Sequence, residues 1–323
     1  MKKYIFFLLI LQLFHGCSVN GDSDPVNLDI EIESNEDKNS QITQSIPSND
    51  VSEMKSLFES FDGISTSSDS NYFYISSNGL PSHNMMVGIT NWQQQFPIDQ
   101  NYASNNSWSI PINPEFSDKP LSSKENFMKG ALAIAVNGIP IFNPLNNRGE
   151  DASAIGELDQ WGGHCGKADD YHYHLPPIHL SDVVGNNSPI AYSLDGFPVY
   201  GKTDKLLDEN LGILNEDGSY HYYAVDDYPY FIANMKGKVT TSGIAPENQI
   251  DPQSVASAIR PALNPLKDAV ITNFTKIDSN SYQLKYEINS EIFIIDYYWD
   301  SSGHYYITFT NPDGTKQIET YHR

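Results

Sequence analysis

The chain has 323 residues, of which 41 are acidic and 19 basic, and its net charge is −22. Surfaces that bind nucleic acid neutralise phosphates with lysine and arginine, so this charge argues against a nucleic-acid partner. Hydrophobic residues make up 39% of the chain, enough for a folded core, and two cysteines are too few for a disulfide-dense scaffold.

Residues 1–16, MKKYIFFLLILQLFHG, predict a signal peptide: two lysines and an apolar stretch lead to a small residue before Cys17. A short signal that ends at a cysteine is typical of a bacterial lipoprotein, in which Cys17 carries the lipid. We therefore expect a membrane lipoprotein, periplasmic or on the cell surface, with the membrane as its partner through that lipid. An ordinary signal with a chance cysteine is the alternative, because Phe14 and His15 fit a lipoprotein signal imperfectly.

Residues 17–70 are rich in serine, asparagine and aspartate and are too polar to bury much surface. The composition predicts a disordered tether between the lipid and a domain at residues 71–323. Weak calcium binding by its acidic run is a lesser alternative to a plain spacer.

From residue 71 onward, short aromatic and β-branched runs alternate with turn dipeptides such as Asn137-Gly138 and Asp195-Gly196. This pattern predicts a mostly β fold of antiparallel strands and hairpins, sandwich-like, with few short helices. Residues 282–322 alternate well enough for four antiparallel strands. A short helix is expected within Pro252–Leu266, broken or kinked by Pro261, and a turn or two at Asp151–Leu158 capped by Asp151.

Two hairpin sequences resemble each other, LAIAVNGIPIF at 132–142 and IAYSLDGFPVY at 190–200, and a shorter echo stands at Asn78–Pro81. A proline two places beyond the turn removes a donor from the ladder, so each return strand should be an edge or bulged strand. Such places often border functional sites, although two similar structural hairpins are the simpler interpretation.

Four of the nine histidines fall in residues 164–179, within the segment GGHCGKADDYHYHLPPIHL. Successive side chains of a strand point to opposite faces, so His172 and His174 should share one face and the tyrosines the other. Two imidazoles so placed can converge on one ion, and His164 can supply a third nitrogen. We expect one transition metal ion here, copper or zinc; hydrogen-bonded structural histidines are the alternative.

Cys165 is a possible additional ligand. With His172, His174 and Met85 or Met86 it would form a copper electron-transfer set, but adjacent residues seldom share one ion, so an idle thiol is the default. A second, degraded copy at 220–223 has Tyr-His-Tyr-Tyr, and places His221 either in the same cavity or on an ordinary aromatic strand.

Four segments in this order, SNGLPSH at 77–83, GGHCGKADDYHYHLPP at 162–177, IAYSLDGFPVYG at 190–201 and GSYHYYAVDDYPYF at 218–231, resemble the YHYH-domain family over about residues 70–323. The family includes secreted and lipid-anchored proteins, and the resemblance implies no particular activity. It adds His83 as a companion of the other metal ligands. The family tends to have a cysteine where this chain has Trp161, which argues against a thiol-dependent role.

Two functions follow from these residues. The first is an extracytoplasmic metalloprotein with a histidine site, acting as a metal-dependent hydrolase or oxidoreductase, in which Asp195 would be a general base or would orient a ligand. A purely structural role for Asp195, as the first residue of a tight turn, is the simpler interpretation. The second is a non-catalytic module that binds glycans or another extracellular polymer through exposed aromatic rings. Trp92, Trp108, Trp161 and Trp299 in a row on one face would favour it, and an extracellular small molecule or polymer is the expected partner in either case.

Overall fold

The computed structural model describes residues 46–323, so the predicted signal peptide, Cys17 and much of the predicted tether lie outside the described residues. The helices are α1 (Val51–Phe58) and α2 (Ser181–Val184), and single 3-10 turns occur at Ser104–Asn106 and Ile178–Leu180. The strands are β1 Ser65–Ser68, β2 Tyr72–Ser76, β3 Trp108–Pro111, β4 Phe116–Ser122, β5 Ala131–Ala135, β6 Pro140–Phe142, β7 Gly163–Cys165, β8 Tyr171–Tyr173, β9 Ala191–Ser193, β10 Pro198–Lys202, β11 Gly212–Leu214, β12 Tyr220–Ala224, β13 Asn234–Gly237, β14 Thr240–Ser242, β15 Gln249–Asp251, β16 Val270–Asp278, β17 Ser281–Ile288, β18 Glu291–Trp299, β19 His304–Thr310 and β20 Lys316–His322. The predicted mostly β fold with few short helices is confirmed.

An eight-stranded sheet organises the fold, with the strand order β11-β12-β10-β9-β5-β6-β8-β7. Most neighbours are antiparallel, but β6 with β8 and β10 with β12 are parallel pairs. The central strands β5 and β9 are buried at every residue, because other elements cover both faces of the sheet there. Smaller sheets, β1-β2-β3, β4-β13 and β14-β15, complete the body.

The return strands of the two similar hairpins were predicted to be edge or bulged strands; both are inner strands, so the edge position is wrong, whereas β10 does carry a bulge. β6 lies between β5 and β8, and β10 lies between β9 and β12. Pro140 and Pro198 are each the first residue of their strand, a position at which a proline is tolerated. A register irregularity accompanies each hairpin, between Ala131 and Ala133 in β5 and between Tyr200 and Lys202 in β10.

The folded body begins before residue 71. The boundary predicted between the tether and the domain, at residue 70, therefore lies too far toward the C-terminus. Asp50 caps α1 by accepting hydrogen bonds from the backbone N–H groups of Ser52 and Glu53. Met54 and Phe58, four residues apart on one face of α1, are fully buried in the core. This apolar pair is too short a pattern to stand out in a polar segment.

The C-terminal meander β16-β17-β18-β19-β20 contains the four predicted strands, β17–β20, and one more before them. Its tyrosines attach it to the body, since Tyr297 donates to the carbonyl of Pro97 at 2.7 Å and Tyr305 donates to Asp99 at 2.9 Å. The ring of Phe96 packs on Tyr297 with centroids 4.5 Å apart.

The helix predicted within Pro252–Leu266 is absent; residues 252–267 are irregular. Prolines at 252, 261 and 265 each restrict the residue before them to extended conformations, which prevents a continuous helix. Arg260 of this segment is buried and donates two hydrogen bonds to Asp169, at 2.6 and 2.8 Å, which fixes the loop between β7 and β8. The predicted turn at Asp151–Leu158 is present, with Asp151 accepting from the N–H groups of Ser153 and Ala154.

No helix within residues 46–323 combines the length and the apolar character needed to cross a bilayer.

Candidate metal centre

The edge hairpin β7–β8 brings three histidines together. The two strands are antiparallel, and His164 lies directly opposite His172 in the register. His174 follows two residues later on the same face as His172, with ring centroids 5.0 Å apart. The prediction that the histidines and the tyrosines take opposite faces of the strand is therefore confirmed, because Tyr171 and Tyr173 pack with each other on the other face.

The imidazole nitrogens converge at short distances. Nε2 of His174 lies 3.0 Å from Nε2 of His164 and 3.2 Å from Nε2 of His172. One ligand nitrogen from each of the three side chains falls within 4.8 Å of the others, and this is the only such group of histidine, cysteine or carboxylate side chains among residues 46–323. We call these three residues the histidine triad.

Backbone carbonyls fix the orientation of two rings. Nδ1 of His172 donates to the carbonyl of Asp170 at 3.0 Å, and Nδ1 of His174 donates to the carbonyl of Asn143. A carbonyl oxygen only accepts hydrogen bonds, so each Nδ1 carries the proton. In the neutral rings both Nε2 atoms consequently present lone pairs to the shared space. Hydrogen bonds of this kind on the remote nitrogen are typical of metal-binding histidines.

The surroundings keep His164 and His174 uncharged. His172 and His174 are buried, with 3% and 4% of their surface exposed. Burial and, to a smaller extent, the nearby His172 together lower the pKa of His174 to about 3. Burial also lowers the pKa of His164 well below its usual value, with the neighbouring histidines and Arg148 acting in the same direction. Neutral imidazole is the form that binds a metal ion.

A cavity of about 280 Å³ opens in front of the triad. Phe142 stacks on His172 with ring centroids 4.1 Å apart and planes 17° apart. Arg148 donates to Glu157 at 2.5 Å, and this carboxylate side chain is almost fully buried whereas Arg148 is 45% exposed. The other charged side chains in the lining are Lys129, Lys167 and Asp170.

The family model described as "YHYH protein" matches residues 107–216, about one third of the chain. This segment is a YHYH domain. The match includes the hairpin β5–β6, the histidine triad and the second hairpin β9–β10, and it confirms the resemblance found in the sequence. No curated protein and no solved structure matches the chain.

His83 does not join the triad, although the resemblance suggested it. Its Nε2 is 2.6 Å from the hydroxyl of Tyr173, and its ring packs against Trp161 and His179. These contacts place His83 with the tyrosines, on the opposite face of the strand β8 of the YHYH domain. Burial lowers the pKa values of His83 and of His179, the latter to about 4.

Cys165 also lies away from the triad, because it follows His164 in β7 and points to the other face. Its sulfur is 3.5 Å from the sulfur of Met86 and is buried. Burial raises the pKa of the thiol well above its usual value, so Cys165 is not a thiolate here. The copper set of Cys165, Met86 and two histidines is therefore not formed.

Asp195 and His221 belong to the other half of the eight-stranded sheet. Asp195 is fully buried at the β9–β10 turn, where it accepts from Tyr222 and from the N–H of Gly237, both at 2.7 Å. Neither Asp195 nor His221 lines the cavity of the triad; His221 lines a separate cleft. Asp195 is thus a structural turn residue and not a base for that cavity.

The tryptophans do not form an exposed row. Trp92 and Trp108 are buried, with 3% and 2% of their surface exposed, and Trp299 packs on Tyr282 in the meander.

Three further residues that line the cavity of the triad were not predicted from the sequence, namely Phe142, Arg148 and Glu157. Only Phe142 carried a signal, as the aromatic residue that ends the repeated hairpin pattern.

Proposed function

We propose that this protein is a lipid-anchored, extracytoplasmic metalloprotein whose histidine triad binds one transition metal ion, with zinc and copper as the expected ions. The observation that carries the proposal is the approach of Nε2 of His172 to Nε2 of His174, at 3.2 Å. The N–H group of each neutral ring is at Nδ1, where it donates to a backbone carbonyl, so neither Nε2 carries a proton.

Two lone pairs at this distance repel each other unless a positive charge lies between them. A proton on His174 would supply that charge, but the pKa of His174 is lowered to about 3, chiefly by burial, so His174 stays unprotonated near neutral pH. A metal cation bound by both nitrogens removes the repulsion and compensates for the burial of two polar rings.

The donor set fits such an ion. Zinc with Zn–N bonds of about 2.0–2.1 Å in a tetrahedral site separates its nitrogen ligands by roughly 3.3 Å. The two Nε2 separations that involve His174, 3.0 and 3.2 Å, are close to that value, and all three ligand nitrogens lie within 4.8 Å of one another. Three protein ligands with an open fourth position are typical of catalytic rather than structural zinc sites.

A metal ion at the triad would supply either an acidified water for hydrolysis or, in the case of copper, redox chemistry with oxygen. The residues of the chain would bind and orient the reacting molecule. The half-exposed guanidinium of Arg148 is paired with both Glu150 and Glu157, and its remaining N–H groups can donate to a polar group of that molecule. A cavity of about 280 Å³ suits a small molecule or the end of a polymer.

The signal-like residues 1–16 and Cys17 support the anchored, extracytoplasmic part of the proposal.

Metal analysis of the full-length protein, purified without a polyhistidine tag, tests the proposal. We expect about one zinc or copper ion per chain, and loss of that ion in His172→Asn and His174→Asn. His221→Asn is the matched control, since His221 occupies an aromatic-lined strand position like that of His172 and should leave the metal content unchanged. Equal metal content in all four proteins would refute a site at the triad.

A further inference from the structure

The eight-stranded sheet consists of two equivalent halves. In the order β7-β8-β6-β5-β9-β10-β12-β11, the first four strands correspond to the last four read outward from the centre. Within each half the hairpin strands are antiparallel, the tyrosine-rich strand runs parallel to the return strand, and a short strand pairs antiparallel at the edge. The halves meet at the antiparallel pair β5–β9.

The correspondence holds at single residues. In the first half Tyr171 donates to Asp159 at 2.8 Å, and in the second half Tyr220 donates to Asp208 at 2.9 Å. Each aspartate also accepts from the N–H of the glycine that begins the edge strand, Gly163 or Gly212. Both glycines lie against the ring of the tyrosine, where a Cβ atom would come within 2.6 Å of ring atoms.

Tyr173 and Tyr222 are a second pair of tyrosines at equivalent positions of the two halves. Tyr173 accepts from the side-chain amide of Asn137 at 2.9 Å, and Tyr222 donates to Asp195 at 2.7 Å. Asn137 and Asp195 are the turn residues of the two similar hairpins. The second half is therefore a copy of the half that carries the triad.

The copy lacks two of the three metal ligands. The register pairs Ile213 with His221 where the first half pairs His164 with His172, and Tyr223 stands at the position of His174. The aromatic cover is retained, since Tyr200 stacks on His221 with centroids 4.8 Å apart, as Phe142 stacks on His172. Ile213, His221 and Tyr223 thus stand at the three positions of the triad, and Tyr200 supplies the covering ring.

A cleft of about 640 Å³ lies at this position, larger than the cavity of the triad. Tyr200 lies nearly parallel to both His221 and Tyr223, with planes 27° apart in each case, and all three rings are half-buried. Asn186 and Asn187 line the same cleft. We propose that this cleft, which we call the tyrosine cleft, binds a neutral saccharide.

The chemistry of the lining supports this ligand class. Lys202 and Lys205 are balanced in the lining by Asp204 and Asp217, and Lys202 forms an ion pair with Asp226. The balance favours a neutral ligand over an anionic one. Aromatic rings stack on the apolar C–H faces of a sugar, and carboxamide groups such as that of Asn186 both donate to and accept from its hydroxyls.

Calorimetric titration of the full-length protein with cellohexaose, hexa-N-acetylchitohexaose and maltohexaose tests the proposal, which does not depend on metal binding by the triad. We expect at least one of these neutral oligosaccharides to bind, and Tyr200→Ala and Tyr223→Ala each to weaken that binding about tenfold or more. Tyr200→Phe keeps the ring and should retain most of the affinity.

Tyr298→Ala is the matched control, because Tyr298 is an exposed ring that stacks on Tyr306 in the meander, outside the cleft. It should bind like the original protein. Failure of all three oligosaccharides to bind overturns the proposal, and so does an equal loss of affinity in Tyr200→Ala and Tyr298→Ala. Far-ultraviolet circular dichroism of each variant separates loss of binding from loss of fold.

Discussion

Tyr171 and Asp159 form a buried hydrogen bond of 2.8 Å that fixes one face of the strand β8. Asp159 also accepts from the backbone N–H groups of Met86, Trp161 and Gly163. Because this network holds the tyrosine face inside the protein, the alternate side chains of β8 must point into the cavity. The positions of His172 and His174 therefore depend on a carboxylate that they do not contact.

Replacement of Asp159 by alanine should lower the free energy of unfolding by about 3 kcal/mol, because it leaves several buried donors without a partner. Asp159→Asn keeps an acceptor oxygen and should lose less. Urea unfolding at pH 7 measures both values. A loss below about 1 kcal/mol in Asp159→Ala would contradict the structural role given to this network.

The stability of the metal-free protein should fall as the pH decreases below about 6.5. Burial lowers the pKa of His174 to about 3 in the folded protein, while the unfolded chain keeps a value near 6.5. Between these pH values the unfolded chain binds the proton and the folded protein does not, so acid favours unfolding. The slope reaches about 1.4 kcal/mol per pH unit for each such histidine.

Urea unfolding in the presence of a chelator, at pH 7.0, 6.0 and 5.0, measures this slope. His174→Asn removes the titrating group and should show a smaller slope. Bound metal should persist below pH 6 for the same reason, since His164 and His174 stay unprotonated in the folded protein. Identical slopes in the two proteins would show that His174 is not held neutral.

Phe142→Ala should weaken metal binding about tenfold. The ring of Phe142 stacks on that of His172 with centroids 4.1 Å apart, so its removal leaves the orientation of His172 less restricted. Tyr200→Ala removes the equivalent ring in the other half of the sheet and should leave metal affinity unchanged. Competition with a chromophoric chelator gives both affinities. A similar weakening in both variants would indicate a general loss of stability and not loosening of the site.

Cys17→Ser should abolish lipid attachment and release the protein from membranes or block its processing. The prediction rests on the signal-like residues 1–16 directly before this cysteine. Fractionation of cells, with labelling by a fatty-acid analogue, checks it. Membrane retention that is the same with and without Cys17 would exclude the lipid as the anchor.

Some features of the protein follow from the sequence because they depend on neighbours along the chain. The period of two in a strand put His172 and His174 on one face, and Asn-Gly and Asp-Gly marked the turns at Asn137 and Asp195. The amino-acid sequence also showed that the two hairpins are similar and that Tyr223 stands in the second copy where His174 stands in the first.

Other features were decided only by the order of strands in space. Local patterning does not say that β6 and β10 are inner strands, that His221 opens onto its own cleft, or that His83 packs behind β8. Phe142 reaches the triad from β6, a strand separated from β8 in the chain by all of β7 and its loops. Sheet order arises from pairings between residues far apart in sequence, and each such pairing depends on the burial of many side chains at once, which no short window of sequence contains.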